Sequence, residues 1–322
     1  MKILLTGSSS FTGSWFARAL ASAGHEVVAT MTRPSAADYD GDPGRRARVD
    51  LVCGHAAGGV WSCRFGEPGF IDLVGRGFDV LCHHGADVTD YKSPGFDVNR
   101  ALANNTHALP AVLDAFKAGG GRRVVLTGSV FEGGEGAGDE DPPGAGLPHF
   151  SPYGLSKALT AQVFRHRCRD AGLHLGKFVI PNPFGPHEEP RFTAYLMRTW
   201  KKGEAAGVRT PAYVRDNIHV DLLASCYARF VGGLPGEAGF SRMSPSGYVE
   251  SQGAFAQRVA SAVRARLGLA CVLELAEQNE FDEPRMRINT QPASALVGGW
   301  SESAAWDAFV SFYADRPGEG AR

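Results

Sequence analysis

Ile3-Leu4-Leu5-Thr6-Gly7-Ser8-Ser9-Ser10-Phe11-Thr12-Gly13 opens the chain with an apolar run and a glycine-bounded turn. From Ser14 to Ala23 a helical pattern follows, with Trp15, Phe16, Ala19 and Leu20 recurring on one face. The stretch reads as strand, tight loop, helix. Gly7 permits the turn, Gly13 permits close packing of helix on strand, and the helix start aims backbone N–H groups at a pyrophosphate. Gly7, Ser10, Phe11 and Gly13 are therefore placed against a dinucleotide. Ser10 stands where the pattern has a glycine pressed against phosphate, and its effect is either weaker binding or an added hydroxyl donor.

Working outward, Gly24-His25 opens a second strand, Glu26 to Met31. Met31 occupies the position of the ribose-binding acid of a dinucleotide fold, and Thr32-Arg33 follow. An arginine there accommodates a 2′-phosphate, so Arg33 favours NADP; the alternative is NAD bound without that acid, with Asp38 and Asp40 in reserve. Arg48-Val49-Asp50-Leu51 reads as a third strand that brings Asp50 and Leu51 to the adenine. The stretch from Cys53 to Phe70 is glycine-rich and irregular. Asp79-Val80-Leu81-Cys82 is a buried-type strand with His83-His84-Gly85-Ala86 at its carboxyl end, where open parallel sheets bind ligands. Adjacent strand residues point to opposite faces and no acid or thiol lies at ligand spacing, so the two histidines do not make a metal pair. His83 and small Gly85 are placed beside the dinucleotide instead.

Ala101 to Lys117 reads as one helix, with Asn105 in its first half and Leu109, Val112, Leu113 and Phe116 on its apolar stripe. Arg123 to Thr127 is the next strand, ending in Gly128-Ser129. Glu132 to Gly146 is too rich in glycine and charge to be core, and reads as an inert loop or a flap over the site. Then comes Ser151-Pro152-Tyr153-Gly154-Leu155-Ser156-Lys157. Tyr153 and Lys157 are four residues apart, so on a helix they share a face. Tyrosine titrates near pH ~10, about three units above the best operating value for an acid or base. A lysine ammonium about 4 Å away supplies roughly the 4 kcal/mol needed to close that gap.

Beyond the strand Gly176 to Ile180 the strand-helix alternation breaks. Helices are expected at Phe192 to Lys202, Asp221 to Val231, Gln252 to Leu267 and Glu302 to Tyr313, with strands at Tyr213 to Val220 and near Val272 to Leu275. The fold class is α/β, a doubly wound parallel sheet of the Rossmann type with a smaller C-terminal α/β cap. Residues 1–180 are assigned to the dinucleotide domain, with 213–232 returning to it; 181–212 and 233–322 are assigned to the cap.

With 322 residues and 43% hydrophobic content the chain can bury a full core, and a formal charge of -1 gives no footprint for nucleic acid. The six cysteines are scattered without zinc-like spacing and read as reduced thiols. No apolar run reaches membrane-spanning length and no leader precedes the first strand, so a cytoplasmic protein without a membrane partner is expected.

Taken in order, TGSSSFTG (6–13), DVLCHHGA (79–86), SVFEGG (129–134), SPYGLSK (151–157), NPFGP (182–186) and RDNIHV (215–220) resemble the extended short-chain dehydrogenase/reductase family. The branch they resemble is the NAD(P)-dependent epimerase/dehydratase group acting on nucleotide sugars. The resemblance implies that Tyr153 is the acid/base and that Lys157 holds the nicotinamide ribose and lowers the tyrosine pKa. It makes Ser129, or Thr127 in an alternative register, the hydroxyl that bonds the reacting oxygen, and Asn105 a support for the proton relay. Asn182 would reach substrate, and Arg215 would meet the sugar nucleotide's phosphates, with Arg285 or Arg287 as a second phosphate contact. Neither register supplies the Asp-Glu pair of 4,6-dehydratases. A 4-epimerase and a 4-keto-sugar reductase remain open, beside a dehydratase, a small-ketone reductase and a non-catalytic dinucleotide-binding protein. A homodimer is also implied, pairing 101–117 and 153–170 with Phe116, Leu159 and Val163 in the contact.

Overall fold

The computed structural model describes residues 1–133, 137–138 and 151–314. A seven-stranded parallel sheet is built from β1 (Lys2–Leu5), β2 (Glu26–Thr30), β3 (Gly58–Val60), β4 (Val80–His83), β5 (Arg123–Ser129), β7 (His174–Ile180) and β11 (Gly239–Met243). Its order is β11-β7-β5-β4-β1-β2-β3. Alternation along each strand fills two cores. Ile3, Leu5, Cys82, Val125 and Phe178 face one layer, which includes α1 (Phe11–Ser22) and α8 (Val220–Gly232). Leu4, Leu81, Val124, Leu126 and Leu175 face the other, with α3 (Pro68–Val74), α5 (Leu109–Ala118) and α6 (Pro152–Ala171). Strands buried on both faces are what a doubly wound sheet requires. The winding reverses between β1 and β4, which puts the glycine-rich loop and His83–Gly85 at the switch point where such sheets bind ligands.

The second half builds the opposing wall. β10 (Val214–His219) pairs with β8 (Asn182–Phe184), β13 (Tyr248–Ser251) and β15 (Met286–Ile288), and β15 also pairs with β6 (Ala137–Gly138). Two small parallel pairs flank them, β9 (Ala206–Val208) with β14 (Leu273–Leu275) and β12 (Pro245–Ser246) with β16 (Gln291–Pro292). A third core joins α7 (Phe192–Lys201), α9 (Gln252–Leu267) and α11 (Glu302–Ala314) through Leu196, Trp200, Phe255, Val259 and Phe309.

Several expectations change. Arg48–Leu51 is the middle of a helix, α2 (Pro43–His55), and the third strand comes later, at Gly58–Val60. Asp42 caps α2 by accepting from the Arg45 N–H, and Pro43 stands at its first turn. Four residues with alternating polarity were too few to separate strand from helix. The 101–117 helix is two, α4 (Val98–Asn105) and α5, broken at Ala108, whose φ is 46°. Pro110, in the first turn of α5, lacks the N–H that a continuous helix would use there. Gly239–Met243 joins the central sheet beside β7, although 233–322 reads as cap. Phe116 is fully buried inside its own protomer, so it is not available to a dimer contact. The expected loop or flap, 132–146, falls mainly on 134–136 and 139–146, outside the described residues. Among the described residues, no helix is long and apolar enough to cross a membrane.

Candidate active site

A cleft of about 1650 Å³ runs between the carboxyl ends of the sheet and the cap. Its floor is the glycine-rich loop. Gly7 has φ 71°, and a Cβ there would lie 2.7 Å from the Gly85 nitrogen; a Cβ on Gly13 would lie 2.2 Å from the Gly7 oxygen. These contacts, more than flexibility, are why glycine is needed. Ser10 caps α1: its hydroxyl donates to the Gly7 carbonyl at 2.8 Å and accepts from the Gly13 N–H at 3.1 Å. Phe11 and Thr12 line the cleft in the first turn of α1, where N–H groups have no intrahelical partner.

His83 and His84 diverge as strand alternation demands. The His83 ring lies 4.0 Å from Phe65 and stacks on Phe164, with Nδ1 3.0 Å from Thr6 Oγ1. The His84 ring goes the other way and ties three hydroxyls together: Ser10 at 3.1 Å and Thr12 at 3.0 Å on Nε2, and Thr127 at 3.0 Å on Nδ1. Burial, then the Lys157 charge, pulls both down to about 3, so they stay neutral. That hub is not legible in sequence, because its partners lie 43 to 74 residues away.

The chemical end is α6 against the end of β5. Ser151 caps α6 by accepting from the Gly154 N–H, and Gly154 lets the helix approach the loop: a Cβ there would lie 2.1 Å from the Phe131 carbonyl oxygen. Tyr153 is ringed by Tyr91, Phe96 and Phe131 at 5.4, 6.0 and 6.3 Å. Lys157 is buried and donates to the Thr127 carbonyl at 2.6 Å. Burial, offset by Glu132 and reinforced by Lys177, lowers Lys157 to about 8. Tyr153 moves opposite to expectation. Burial, then the Glu132 carboxylate, raises it well above the usual phenol range, and Lys157 spends a proton on Thr127.

Ser129 and Thr127 both line the cleft, but they differ. Thr127 Oγ1 is held by His84, while Ser129 Oγ accepts from the Phe131 N–H and keeps its own proton to donate. Of the two hydroxyls, Ser129 is therefore the one placed to donate into the cleft. Asn105 accepts from the Asp87 N–H at 2.8 Å and donates to Thr160 at 3.3 Å, bracing the loop after β4 against α6.

On the cap side Asn182 lines the cleft and donates to the Asp216 carbonyl. Arg215 and Arg287 share Glu283 Oε2 at 3.1 and 3.0 Å, and Arg287 lies 3.8 Å over the Phe131 ring. Burial lowers Arg287 to about 10, and it remains a cation at neutral pH. Arg285 instead covers Phe281 and does not line the cleft, so Arg287 is the second arginine. Two other expectations are corrected at the nucleotide end. Asp50 lies on the exposed side of α2 bonded to Arg46, with Leu51 beside it, and neither lines the cleft. Arg33 bonds the Asp38 carbonyl and lies over Tyr39, whereas Thr30, Thr32 and Arg45 line the cleft there. Sequence reading also passed over buried Arg48, which bonds the Ser9 and His187 carbonyls and so ties α2 and the loop to the cap.

Comparison with known proteins agrees with this architecture. The model of the NAD dependent epimerase/dehydratase family matches residues 3–233. A dTDP-glucose 4,6-dehydratase of Streptomyces griseus is 29% identical over 236 residues, 68% of this chain and 66% of that protein, so the match spans just under two thirds of the relative's length. A UDP-glucuronic acid 4-epimerase variant from Bacillus cereus, solved with NAD and a fluorinated UDP-sugar, superposes with TM-score 0.71 at 16% identity, covering 98% and 99% of the two chains. A dTDP-glucose 4,6-dehydratase from Streptomyces venezuelae, with NAD bound, gives 0.70 at 19% identity over 98% and 97%. The glycine-rich floor, the Tyr153–Lys157 helix and the matched 3–233 together establish that the chain belongs to the NAD-dependent epimerase/dehydratase family.

Proposed function

We propose that this chain is an NAD(P)-dependent enzyme moving hydride at one carbon of a nucleotide sugar, as a 4-epimerase. The observation that carries the reading is the joint lining of one cleft by Tyr153, Lys157 and Ser129 on the sheet side and by Arg215 and Arg287 on the cap side. One end handles a proton; the other suits a diphosphate. The floor fits a dinucleotide, since Gly7, Gly13 and Gly85 let the loop, the helix and the end of β4 close on one another, while Phe11 and Thr12 bring the first turn of α1 to the cleft, where its N–H groups suit a pyrophosphate. Bound NAD or NADP supplies hydride acceptance and return.

The chain's residues do the rest. Ser129 donates to the reacting oxygen, Tyr153 takes and returns its proton, and Lys157 holds a positive charge below them. Arg215 and Arg287 exchange Glu283 for phosphate oxygens, which fixes the sugar's position along the cleft. Elimination of water would need a further acid or base. Glu132 does not line the cleft and commits both carboxylate oxygens to Ser129 N–H and Lys177, and Glu188, which does line it, is held by Thr193 and Tyr313; this disfavours a dehydratase.

A 4-keto-sugar reductase is the second reading, favoured by one observation: Arg45 lines the nucleotide end and suits a 2′-phosphate. Releasing and identifying the copurified cofactor, then titrating stripped protein with NAD and NADPH, separates the two. Retained NAD, with interconversion of UDP- or dTDP-sugar 4-epimers, supports the epimerase. An empty site preferring NADPH, with turnover of a 4-keto sugar only, replaces it with the reductase. We also propose a cytoplasmic homodimer paired through α4 to α6, with Leu159 and Val163 but not Phe116 in the contact; a monomer in sedimentation at micromolar concentration would refute the pairing.

A further inference from the structure

Gly128 interrupts the strand end that carries Thr127 and Ser129, and the space beside it is filled from elsewhere. A Cβ on Gly128 would lie 2.8 Å from Lys177 Cε and 3.0 Å from Glu132 Oε1. Glu132 is 1% exposed and Lys177 6%. Their ion pair is 2.5 Å long, and the other carboxylate oxygen accepts from the Ser129 N–H at 2.7 Å. The Glu132 N–H in turn donates to the Ser129 carbonyl at 3.0 Å. Both backbone groups of Ser129 are thus bonded to one residue, while Lys157 grips the carbonyl of Thr127 two positions earlier.

We propose that the buried Glu132–Lys177 pair, occupying the room left by Gly128, is a positioning device that fixes the Thr127–Ser129 strand end and the charge of Lys157 beneath Tyr153. Neither residue touches the cleft, so both act through others. A buried ion pair is weak as a source of stability, because desolvation consumes most of its attraction. Its placement under an acid/base centre gives it a different use. Among the described residues, the charged groups that act on Lys157 are Glu132 from the turn after β5 and Lys177 from β7; Lys157 acts in turn on His83 and His84 from β4, both neutral, and Tyr153 stands one turn before it on α6. Glu132 favours the ammonium and Lys177 opposes it.

The proposal rests on Tyr153 and Lys157 being the acid/base pair, but its test needs no substrate. Nitrogen-15 NMR of lysine-labelled protein, with the Lys157 signal identified by its loss in Lys157→Met, follows the titration centred at about 8. Glu132→Gln keeps an acceptor for Ser129 N–H and should move the midpoint down by about half a pH unit or more. Lys177→Gln should move it up. Opposite displacements are the signature, since a merely structural pair predicts no shift or the same loss of order in both variants. The double variant Glu132→Gln/Lys177→Gln removes both charges of the pair together, and keeps the test alive if a single variant does not fold. In it the midpoint should still fall, because Glu132 is the stronger of the two influences. Unmoved midpoints in the variants that fold overturn the proposal, whatever the protein's substrate. Failure to turn over sugar nucleotides, with the midpoints displaced as stated, would count against the functional reading alone.

Discussion

The floor of the cleft and its cap wall are held by opposite means. Under the glycine-rich loop the bonds are mostly neutral: two uncharged histidines, the hydroxyls of Thr6, Ser10, Thr12 and Thr127, and glycines in mutual contact, with Arg48 on the Ser9 carbonyl as the charged exception. Across the cleft the wall is charged: buried Arg215 and Arg287 share the exposed Glu283, and the buried carboxyl groups of Glu188 and Asp216 stand on the same side. In the charged wall Glu283 pairs with two buried cations, which under the proposed function exchange it for phosphate. Under the proposed function the difference means that the cofactor end is fixed by shape, while the substrate end is selected by charge.

The largest expected effect tests the boundary between the two. Tyr153→Phe removes one hydroxyl among Tyr91, Phe96 and Phe131 and should lower kcat by about 10²–10⁴-fold, the range for loss of a general acid or base. Cofactor affinity and melting temperature should stay within the scatter of the parent, because the ring remains. A kcat within tenfold of the parent would remove Tyr153 from the chemistry.

How much of this was legible depended on distance along the chain. Tyr153 and Lys157 announce themselves because helix geometry converts a spacing of four into proximity, and Gly7 and Gly13 because a turn is local. The corrections fall where the deciding contact is remote. Arg287 rather than Arg285 meets the cleft because the register of β15 on β10 sets which side chain faces Arg215. Glu132 lies 45 residues from Lys177, and no pattern near Ser129 advertises that pair. Asp50 was misplaced because α2 hides its apolar face in Val49 and Val52, two residues too few to show a helical period.

A pH experiment sharpens the contrast next. Glu188 lines the cleft, bonded by Thr193 at 2.7 Å and by Tyr313 at 2.5 Å, and burial raises it from 4.5 to about 7. The neutral carboxyl favours the fold, so its contribution is full below pH 4.5 and is lost as pH rises through about 7. The floor has the other sign: His83 and His84 are lowered from 6.5 to about 3, so their contribution is full above 6.5 and lost as pH falls towards 3. Glu188→Gln should therefore relieve a loss of order 3 kcal/mol between those limits, seen as a flatter melting temperature from about pH 4.5 to 7. An unchanged slope would show that Glu188 ionises freely.

The cap arginines come third. Arg287→Ala should raise KM for the nucleotide sugar by about tenfold to a hundredfold, the worth of a charged hydrogen bond, and leave cofactor affinity alone. Arg215→Ala should do the same, and Arg285→Ala, stacked on Phe281 away from the cleft, should not. Equal effects from Arg285 and Arg287 would return the phosphate contact to the residue that the structure turns away. Indifference to all three would favour a substrate without a nucleotide.

The smallest effect lies in the floor. Ser10 replaces a loop glycine, and its hydroxyl caps α1 by accepting from the Gly13 N–H while donating to the Gly7 carbonyl. Ser10→Ala should cost about 1 kcal/mol of stability, the usual worth of such a cap, measured by urea unfolding. It should also loosen His84, whose Nε2 loses one of two hydroxyl partners, but Thr12 still holds the ring. Cofactor affinity should then fall no more than a few-fold. Ser10→Gly separates the two reasons for a small residue here: the cap is lost by only a few tenths of a kcal/mol, and room against the phosphate increases. Tighter cofactor binding in Ser10→Gly than in the parent would mean that the serine hydroxyl crowds the pyrophosphate, and that the neutral floor trades affinity for rigidity. Weaker binding would mean that the hydroxyl serves the loop's shape, and that the floor recognises its ligand by fixed geometry alone.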